Sequence, residues 1–343
     1  MKVYINGKDG GGWAIDMIRK DTKNALERLG ITQTKNIFKA DIIHNIWWNY
    51  FINIKNFPLR FKKNIILTAV NFIDLDDSNY FMKEKFITAN KYANVWISPS
   101  EKQTKILRKY SKHVYTVPYY LDFNLFKYSE NIRKQEIYKK FNIPGKLFEN
   151  KIIISSFQRD TLGTDLSKPK WQKGPELLIE LLKDLPKEKF ILLLAGPRRH
   201  FVLNECKKYN IPYHYIGKEM QEDDITVNSL SFDKMPDLYK ITDLYLVTSK
   251  SEGGPKAIQE ATSLKTPIYS TDVGYAKDFL NRSNVFTNYD IYKKAVYDFV
   301  ENYNENKSKR KSELEEQYKR CINLCSYEVI DKKLEYIYKT LAQ

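Results

Sequence analysis

Residues 244–261 read LYLVTSKSEGGPKAIQEA, and this stretch decides the predicted fold. The apolar residues at its start predict a buried strand, the two glycines predict a turn, and Pro255 suits the first position of a helix. Glycines between a strand and a helix let the backbone approach an anion closely, and the free amide groups of the helix N-terminus then bind it. The stretch therefore predicts an anion-binding turn at the carboxyl end of a strand.

Short apolar runs alternate with helical patterns along the rest of the chain. The first series of predicted strands comprises residues 3–6, 41–46, 64–69, 95–98 and 114–117. The second series comprises residues 152–156, 190–195, 214–216, 225–230, 244–248 and 268–270. Continuous apolar strands separated by helices favour parallel sheets that are covered on both faces. The sequence thus predicts an α/β protein with two doubly wound domains.

The polar stretch of residues 124–150 separates the two series and is the predicted linker. We place an N-terminal domain at residues 1–130 and a C-terminal domain at residues 131–310. After about residue 290 the pattern is charged and helical, so we expect residues 311–343 to form a helical tail that packs back on the N-terminal domain.

The composition of the 343 residues is that of a globular protein, with 42% hydrophobic residues and a net charge of +15. Residues 1–150 hold 26 basic and 14 acidic residues, and so carry +12 of that charge. An anionic partner explains this excess, and so does a lysine-rich composition with solvated side chains. No apolar run is long enough to cross a bilayer, and three cysteines do not suggest a disulfide framework. We therefore expect a soluble, intracellular protein.

Two carboxylates flank the anion-binding turn. Glu252 precedes the predicted helix, and Glu260 lies about two turns inside it. At that separation they can contact different parts of one extended ligand, and they are too far apart to act as the adjacent pair of a glycosidase. A ligand with a sugar at each end fits this arrangement.

At these residues the sequence resembles the retaining GT-B glycosyltransferases of family 4, the glycosyl transferases group 1. Glu252 and Glu260 match the two-glutamate motif of that family, with seven residues between them, and the residues around them match its surroundings. Weaker matches follow in the family's order: residues 97–100, Val117-Pro118, Asp122, residues 237–239 and residues 243–245. The resemblance implies two Rossmann-like domains facing a cleft, with the acceptor bound by the N-terminal domain and the nucleotide-sugar by the C-terminal domain.

The resemblance also implies roles for individual residues. In that family the second glutamate, here Glu260, accepts hydrogen bonds from the nucleotide ribose, and the first, here Glu252, contacts the transferred sugar. A family arginine and a lysine before a glycine neutralise the diphosphate, and Arg159 and Lys173 occupy their places, so both are candidate catalytic residues with Glu252. The other candidate substrate-binding residues are Gly10, Gly11, Gly12, Gly174, Gly253, Gly254, Pro255 and His44.

The sequence departs from the family pattern at two places. Residues 160–172 lengthen the usual spacing between Arg159 and Lys173. Where the family often has a Thr-x-His pattern, this chain has Thr68 followed by Val70 and Asn71. His44, at the end of a predicted strand, is either a substitute for that histidine or a packed surface residue.

Neither a metal nor a resident cofactor is expected. Residues 74–77 are acidic but read as an ordinary loop, and Cys321 and Cys325 have no nearby histidine to complete a zinc site. By resemblance the donor is a nucleotide-diphospho-sugar such as UDP- or GDP-hexose, and two fixed cations with a helix N-terminus stabilise the leaving diphosphate. The expected enzyme is a metal-independent hexosyltransferase of EC class 2.4 that retains the anomeric configuration.

The sequence is compatible with more than one class of acceptor. The N-terminal charge favours an anionic or membrane-associated glycan or glycolipid, with residues 56–63 and 102–110 as basic stretches that suit an acidic membrane surface. The expected location is then cytoplasmic, peripheral at the inner face of a membrane. Sugar transfer to modified DNA bases and a non-catalytic nucleotide-sugar-binding module are the alternatives. A phosphorylase would need a cofactor lysine and a longer chain.

Overall fold

The computed structural model describes residues 1–8, 10, 14–62, 64–76, 80–163, 165–305 and 307–342. It contains two six-stranded sheets, each made of parallel pairs, and a two-stranded antiparallel hairpin. This architecture confirms the predicted α/β class with two Rossmann-like domains. Among the described helices, none is long and apolar enough to span a bilayer.

The first sheet has the strand order β2-β1-β3-β4-β5-β6. Its elements are β1 (Lys2–Asn6), α1 (Ala14–Arg28), β2 (Thr32–Gln33), β3 (Ile42–Asn45), α2 (Trp48–Phe51), β4 (Ile65–Thr68), α3 (Tyr80–Asn90), β5 (Val95–Ser98), α4 (Glu101–Leu107) and β6 (Val114–Thr116). Every residue of β3, β4 and β5 is buried, as expected for central strands of a sheet that is covered on both faces.

The second sheet has the strand order β11-β10-β7-β12-β13-β14. Its elements begin with α5 (Lys134–Lys140), β7 (Ile152–Ser156), β8 (Thr161–Leu162), β9 (Asp165–Pro169), α6 (Pro175–Leu182), β10 (Phe190–Ala195), α7 (His200–Lys208) and β11 (Tyr213–Ile216). They continue with α8 (Ile225–Asn228), α9 (Met235–Ile241), β12 (Leu244–Val247), α10 (Lys256–Ser263), β13 (Ile268–Thr271), α11 (Ala276–Phe279) and β14 (Val285–Phe286). The helices α12 (Tyr289–Glu301), α13 (Lys307–Cys325) and α14 (Tyr327–Ala342) follow.

The core of the second sheet shows why its sequence folds in this way. Helix α6 begins at Pro175, whose ring suits the first helical turn, and six of its eight residues are buried. Five of them pack in one apolar cluster with residues of β7 and β12 and with alternate residues of β10, whose six residues are all buried. The continuous apolar run of β10 is therefore covered, as the sequence predicted.

The strand predicted at residues 225–230 is wrong, because this segment contains helix α8. Alternating apolar and polar residues favoured a strand, but the Asp224 carbonyl oxygen accepts the amide N–H groups of Val227 and Asn228, at 3.1 and 2.8 Å. The Asp224 carboxylate also accepts a 2.6 Å hydrogen bond from the Asn228 side chain. Local hydrogen bonds therefore close a helical turn, and Val227 is left 56% exposed on the surface.

The chain divides into two compact units. Unit 1 consists of Met1–Asp122, Glu252–Pro255 and Asn323–Gln343, and unit 2 consists of Phe123–Ser251 and Lys256–Ile322. The boundaries predicted from the sequence lie after residues 130 and 310. Most of the stretch predicted as a linker is folded within unit 2, since Ile137, Tyr138 and Phe148 are buried in one of its apolar clusters.

Helix α14 is fastened within unit 1 by a buried polar group. The Asp331 carboxylate accepts hydrogen bonds from Nε and Nη2 of Arg28, at 2.6 and 2.9 Å, and from the hydroxyl of Tyr120, at 2.6 Å. The bidentate pairing of a guanidinium with a carboxylate fixes both position and direction. The C-terminal helix is thus held against α1.

Candidate functional site

The strand order of the second sheet reverses between β7 and β12. Strands that follow β7 in the chain lie first on one side of it (β10 and β11) and then on the other (β12 to β14). In open parallel sheets ligands bind outside the carboxyl ends of the strands at such a reversal. The residues that follow β7 and β12 are therefore the candidate site of unit 2.

Gln158 joins the loops at this place. Its side-chain amide donates hydrogen bonds to the Lys173 carbonyl oxygen at 3.0 Å and to the Thr248 hydroxyl at 3.2 Å. Its amide oxygen accepts a 3.0 Å hydrogen bond from the hydroxyl of Ser249. The segments after β7 and β12 and the turn before α6 are thus held by one side chain. Gln158 is not evident from the sequence, because its partners lie 15, 90 and 91 residues away.

Gly174 stands where only glycine fits. Its φ is +55°, in the left-handed region, and a Cβ atom there would lie 2.2 Å from the Thr248 carbonyl oxygen. The amides of Lys250 and Ser251 donate to the carbonyl oxygen of Gln172, at 2.9 and 3.3 Å. This close packing places the predicted catalytic residue Lys173 beside the loop that follows β12.

The insertion between Arg159 and Lys173 is a hairpin whose two ends lie next to each other. It forms the antiparallel hairpin of β8 and β9, and the Lys170 amide donates a 2.7 Å hydrogen bond to the Asp160 carbonyl oxygen. The chain therefore leaves and re-enters the site at one place. The longer spacing, which the sequence analysis treated as a departure from the family pattern, does not separate the segments that carry Arg159 and Lys173.

Asp160 anchors the base of this hairpin and is only 1% exposed. Its carboxylate accepts the amides of Phe201 and Val202 at the start of α7, both at 3.3 Å, and lies 3.6 Å from Nε of the equally buried Arg199. Burial raises the pKa of the Asp160 carboxyl to about 6, against the opposing effect of Arg199. The segment next to Arg159 is thereby fixed to α7.

Glu260 is a buried carboxylate, 6% exposed, on helix α10. The Tyr239 hydroxyl donates a 2.8 Å hydrogen bond to its Oε2 atom. Burial raises the pKa of Glu260, while the hydrogen bond from Tyr239 and the positive charge of Lys256 oppose this shift. Tyr239 belongs to a stretch that the sequence analysis noted only as a weak family match.

The turn that carries Glu252 belongs to unit 1 with the loop after β4. A Cβ atom on Gly253 would lie 2.0 Å from the carbonyl oxygen of Val70, so glycine is needed for this approach. The same carbonyl oxygen accepts a 2.8 Å hydrogen bond from the hydroxyl of Tyr119. Burial, and then the charge of Glu252, raise the pKa of Tyr119 above its ordinary range. The remaining predicted residues of the turn, Gly254 and Pro255, lead into α10.

Asn71 stands near the place where the family often has a histidine. Its side-chain oxygen accepts hydrogen bonds from the indole N–H groups of Trp47, at 2.9 Å, and Trp48, at 3.1 Å. The amide group donates to the Phe72 carbonyl oxygen at 3.1 Å. Asn71 therefore holds the loop after β4 to the segment after β3.

His44, the predicted substitute for that histidine, is 2% exposed. One ring nitrogen lies 2.6 Å from the Tyr338 hydroxyl and the other 2.8 Å from the hydroxyl of Thr68. Burial lowers the pKa of His44 to about 3. With both nitrogens engaged inside unit 1, these contacts favour a packing role for His44.

The predicted glycine turn after β1 is described in part. Gly10 has a φ of +80°, and its amide donates a 2.8 Å hydrogen bond to the Asp16 carboxylate at the start of α1. Gly11 and Gly12 lie outside the described residues. The positive φ explains a glycine at position 10.

The acidic and cysteine residues considered as metal ligands are also placed. Asp74 accepts the Asp76 amide at 3.1 Å, and Asp77 lies outside the described residues. Cys321 and Cys325 are buried, and neither takes part in a disulfide. Across the part of the chain that is described, no group of three or more histidine, cysteine, aspartate or glutamate residues is placed to hold a metal ion.

Solved structures share this fold at low sequence identity. HepE from Anabaena, in complex with UDP and glucose, is 13% identical and has a TM-score of 0.72, with 99% of this chain and 100% of that chain covered. Sucrose-phosphate synthase from Thermosynechococcus elongatus is 14% identical and has a TM-score of 0.66, covering 95% of this chain and 78% of that chain. TarM from S. aureus, in complex with Fondaparinux, alpha-GlcNAc-glycerol and UDP, is 15% identical at a TM-score of 0.61, covering 94% and 58%.

These similarities identify the fold as the GT-B fold of glycosyltransferases, as the resemblance implied. No curated protein sequence matches the chain. Residues 166–320 match the family model of the glycosyl transferases group 1. The match includes Lys173, Glu252 and Glu260, whereas Arg159 lies before it. The C-terminal half of the chain thus carries the sequence pattern of the glycosyl transferases group 1.

Proposed function

We propose that this protein is a retaining glycosyltransferase that moves a hexosyl group from a nucleotide-diphospho-sugar to an acceptor hydroxyl. The observation that carries the proposal is the buried carboxylate of Glu260, oriented by Tyr239, in unit 2 beside the reversal point of a parallel sheet. A carboxylate accepts two hydrogen bonds from a vicinal diol such as a ribose. Its burial keeps water from competing for them.

Arg159 and Lys173 are the proposed partners of the donor diphosphate. Both follow the carboxyl end of β7 along the chain, and Gln158 bonds the segment next to Arg159 to the Lys173 carbonyl oxygen. Cleavage of the glycosidic bond leaves additional negative charge on the diphosphate. Fixed cations stabilise that charge as it develops, without reorganising in the transition state. The proposal therefore requires no metal ion.

Glu252 is the proposed contact of the transferred sugar. The close packing of Gly253 against the Val70 carbonyl oxygen fixes the backbone next to it. In the proposed reaction the acceptor oxygen attacks the anomeric carbon on the face that the diphosphate leaves. The bond to the diphosphate oxygen breaks, and that oxygen takes the proton of the acceptor hydroxyl. Catalysis then consists of positioning and charge stabilisation.

The proposed acceptor is an anionic or membrane-associated glycan or glycolipid. The support is the charge of +12 on residues 1–150, most of which lie in unit 1. Cationic side chains raise the local concentration of anionic acceptors and speed their encounter. The matching location of the protein is the inner face of a membrane.

Calorimetric titration tests the donor site. We expect one of UDP, GDP, ADP or TDP to bind in the presence of EDTA, and Glu260→Gln to weaken that binding at least tenfold. Glu180→Gln, which alters an exposed carboxylate of α6 in unit 2, serves as the matched control and leaves binding unchanged. Absence of binding to all four nucleotides contradicts the proposal, as does equal weakening in both variants.

Product analysis tests the reaction. The matching nucleotide-hexose is incubated with a panel of free sugars and glycolipids, and the anomeric proton of the product is followed by NMR. Retention of the donor configuration is expected. An inverted product contradicts the proposed mechanism. If the protein binds nucleotide but neither transfers the sugar nor hydrolyses the donor, the result supports a non-catalytic binding module instead.

A further inference from the structure

Two aromatic side chains project from the amino edge of the first sheet. Phe38 precedes β3 and is 84% exposed, and Phe61 precedes β4 and is 76% exposed. Because β3 and β4 are neighbouring parallel strands, the segments that lead into them reach the same edge of the sheet. Large apolar side chains so exposed and so close together are a mark of an interaction surface.

Three lysines lie on the segments that carry these rings or on the adjacent strand β1. The Lys62 amino group donates hydrogen bonds to the carbonyl oxygens of Phe38, at 3.0 Å, and Ala40, at 3.1 Å, which joins the two segments. Lys39 is exposed next to Phe38, and Lys2 is exposed at the start of the adjacent strand β1. Asp41 accepts the Lys2 backbone amide at 2.7 Å. We call Lys2, Phe38, Lys39, Phe61 and Lys62 the edge patch.

We propose that the edge patch docks unit 1 on an anionic lipid bilayer. Phenylalanine rings gain free energy by leaving water for the boundary between head groups and acyl chains, while lysines beside them meet lipid phosphates. The pattern of protruding rings flanked by long flexible cations suits that boundary, because the charged ends stay at head-group level as the rings enter.

The position of the edge patch determines which edge of the first sheet is covered when the protein docks. Four-residue strands separate it from the carboxyl edge of the same sheet by about 13 Å. The predicted site residue Gly10 follows β1 at that other edge, and Val70–Asn71, where the family often has a histidine, follows β4 there. Docking through the amino edge therefore leaves the carboxyl edge of the first sheet open, so it concentrates the protein at a membrane without covering the loops at that carboxyl edge. Such docking deepens the membrane location proposed above, and it does not depend on the proposed sugar transfer.

Vesicle flotation tests this docking. Vesicles of pure phosphatidylcholine are compared with vesicles that contain 30% phosphatidylserine. We expect the full chain to float with the anionic vesicles only, and Phe38→Ser with Phe61→Ser to reduce that binding at least tenfold. Lys2→Gln and Lys39→Gln are each expected to reduce it about fivefold, with a weaker effect in high salt.

Phe81→Ser is the matched control. Phe81 is 69% exposed and has the Lys85 amino group 4.0 Å from its ring, but it lies at the start of α3, away from the edge patch. This control is expected to float as the unaltered chain does. The proposal is overturned by absence of anionic vesicle binding, by equal losses in control and patch variants, or by patch variants that lose binding to a single-stranded oligonucleotide and not to vesicles.

Discussion

The Tyr239 hydroxyl donates a 2.8 Å hydrogen bond to the carboxylate of Glu260, and both side chains are buried. Tyr239 lies on α9 and Glu260 on α10, the helices before and after β12. A buried carboxylate with a neutral donor keeps one oxygen engaged while the other oxygen's lone pairs can accept further hydrogen bonds. This pair is therefore the best place to test the site.

Tyr239→Phe removes the donor and leaves the packing of the ring in place. Because a buried acceptor then loses its partner, we expect the free energy of unfolding to fall by about 1–3 kcal/mol. Nucleotide affinity is expected to fall as well, since the carboxylate is no longer oriented. Urea denaturation and calorimetric titration measure the two effects. Tyr209→Phe, at an exposed tyrosine of the same unit, is the control, and an equal loss there contradicts the assignment.

Glu260→Gln is expected to raise stability near neutral pH by about 1 kcal/mol while it weakens nucleotide binding, as is common for binding-site residues. The raised pKa of Glu260 means that the folded protein keeps this proton to a higher pH than the unfolded chain does. Its contribution to stability therefore falls as pH rises through the interval between the ordinary and the raised pKa. Unfolding curves at several pH values should show this decline in the unaltered chain and not in the variant.

Gly174→Ala is expected to disrupt the candidate site. The added methyl group meets the Thr248 carbonyl oxygen, and the positive φ adds backbone strain of about 1 kcal/mol or more. Gly30→Ala provides the control, since Gly30 has a φ of +65° and a Cβ atom there has no neighbour within 4 Å. Both variants should lose stability, but only Gly174→Ala should lose nucleotide binding. Equal nucleotide affinities would show that the packing of Gly174 does not form the site.

Lys173→Ala is expected to lower donor turnover about 100-fold or more, because it removes a fixed charge from the leaving diphosphate. The release of nucleotide from nucleotide-hexose, with or without acceptor, measures this loss. Lys183→Ala removes another lysine of the same unit, paired with Glu180 on α6, and should leave turnover unchanged. A Lys173 variant with near-normal turnover would remove this residue from the mechanism.

His44 is expected to limit stability in acid. Because burial lowers its pKa to about 3, the folded protein binds fewer protons here than the unfolded chain does below pH 6.5. The free energy of unfolding should then fall by about 1.4 kcal/mol for each pH unit between that value and about pH 3. His44→Gln should flatten this slope, whereas His113→Gln, at an exposed position, should not. Parallel slopes in all three proteins would contradict the prediction.

Local patterns were sufficient to predict most strands and the glycine turn. The strand Phe190–Ala195 was found at its observed bounds, because a continuous apolar run between polar segments has few other ways to be buried. The error at residues 225–230 arose where alternation suggested a strand, while hydrogen bonds accepted by Asp224 closed a helical turn. Short amphipathic segments are decided by such contacts, which a periodic pattern does not contain.

The residues of the candidate site also divide into those indicated by local sequence patterns and those recognised only through their contacts in the fold. Glu252, Glu260 and the glycines beside them are predictions from one sequence motif, and Lys173 is a prediction from the family resemblance. Gln158 and Tyr239 were not assigned roles, because each acts through a partner that the fold brings from a distant part of the chain. Likewise, only the pairing of Lys170 with Asp160 shows that the insertion after Arg159 closes on itself.

The sequence by itself therefore determined the α/β class, the positions of most strands along the chain and the glycine turn after β12, since these depend on local periodicity and on backbone freedom at glycine. Tertiary structure alone decided that His44 is buried between Tyr338 and Thr68, and that Phe38 and Phe61 share one edge of the sheet. Burial and adjacency depend on which strands become neighbours, and that is settled only when the whole sheet has assembled.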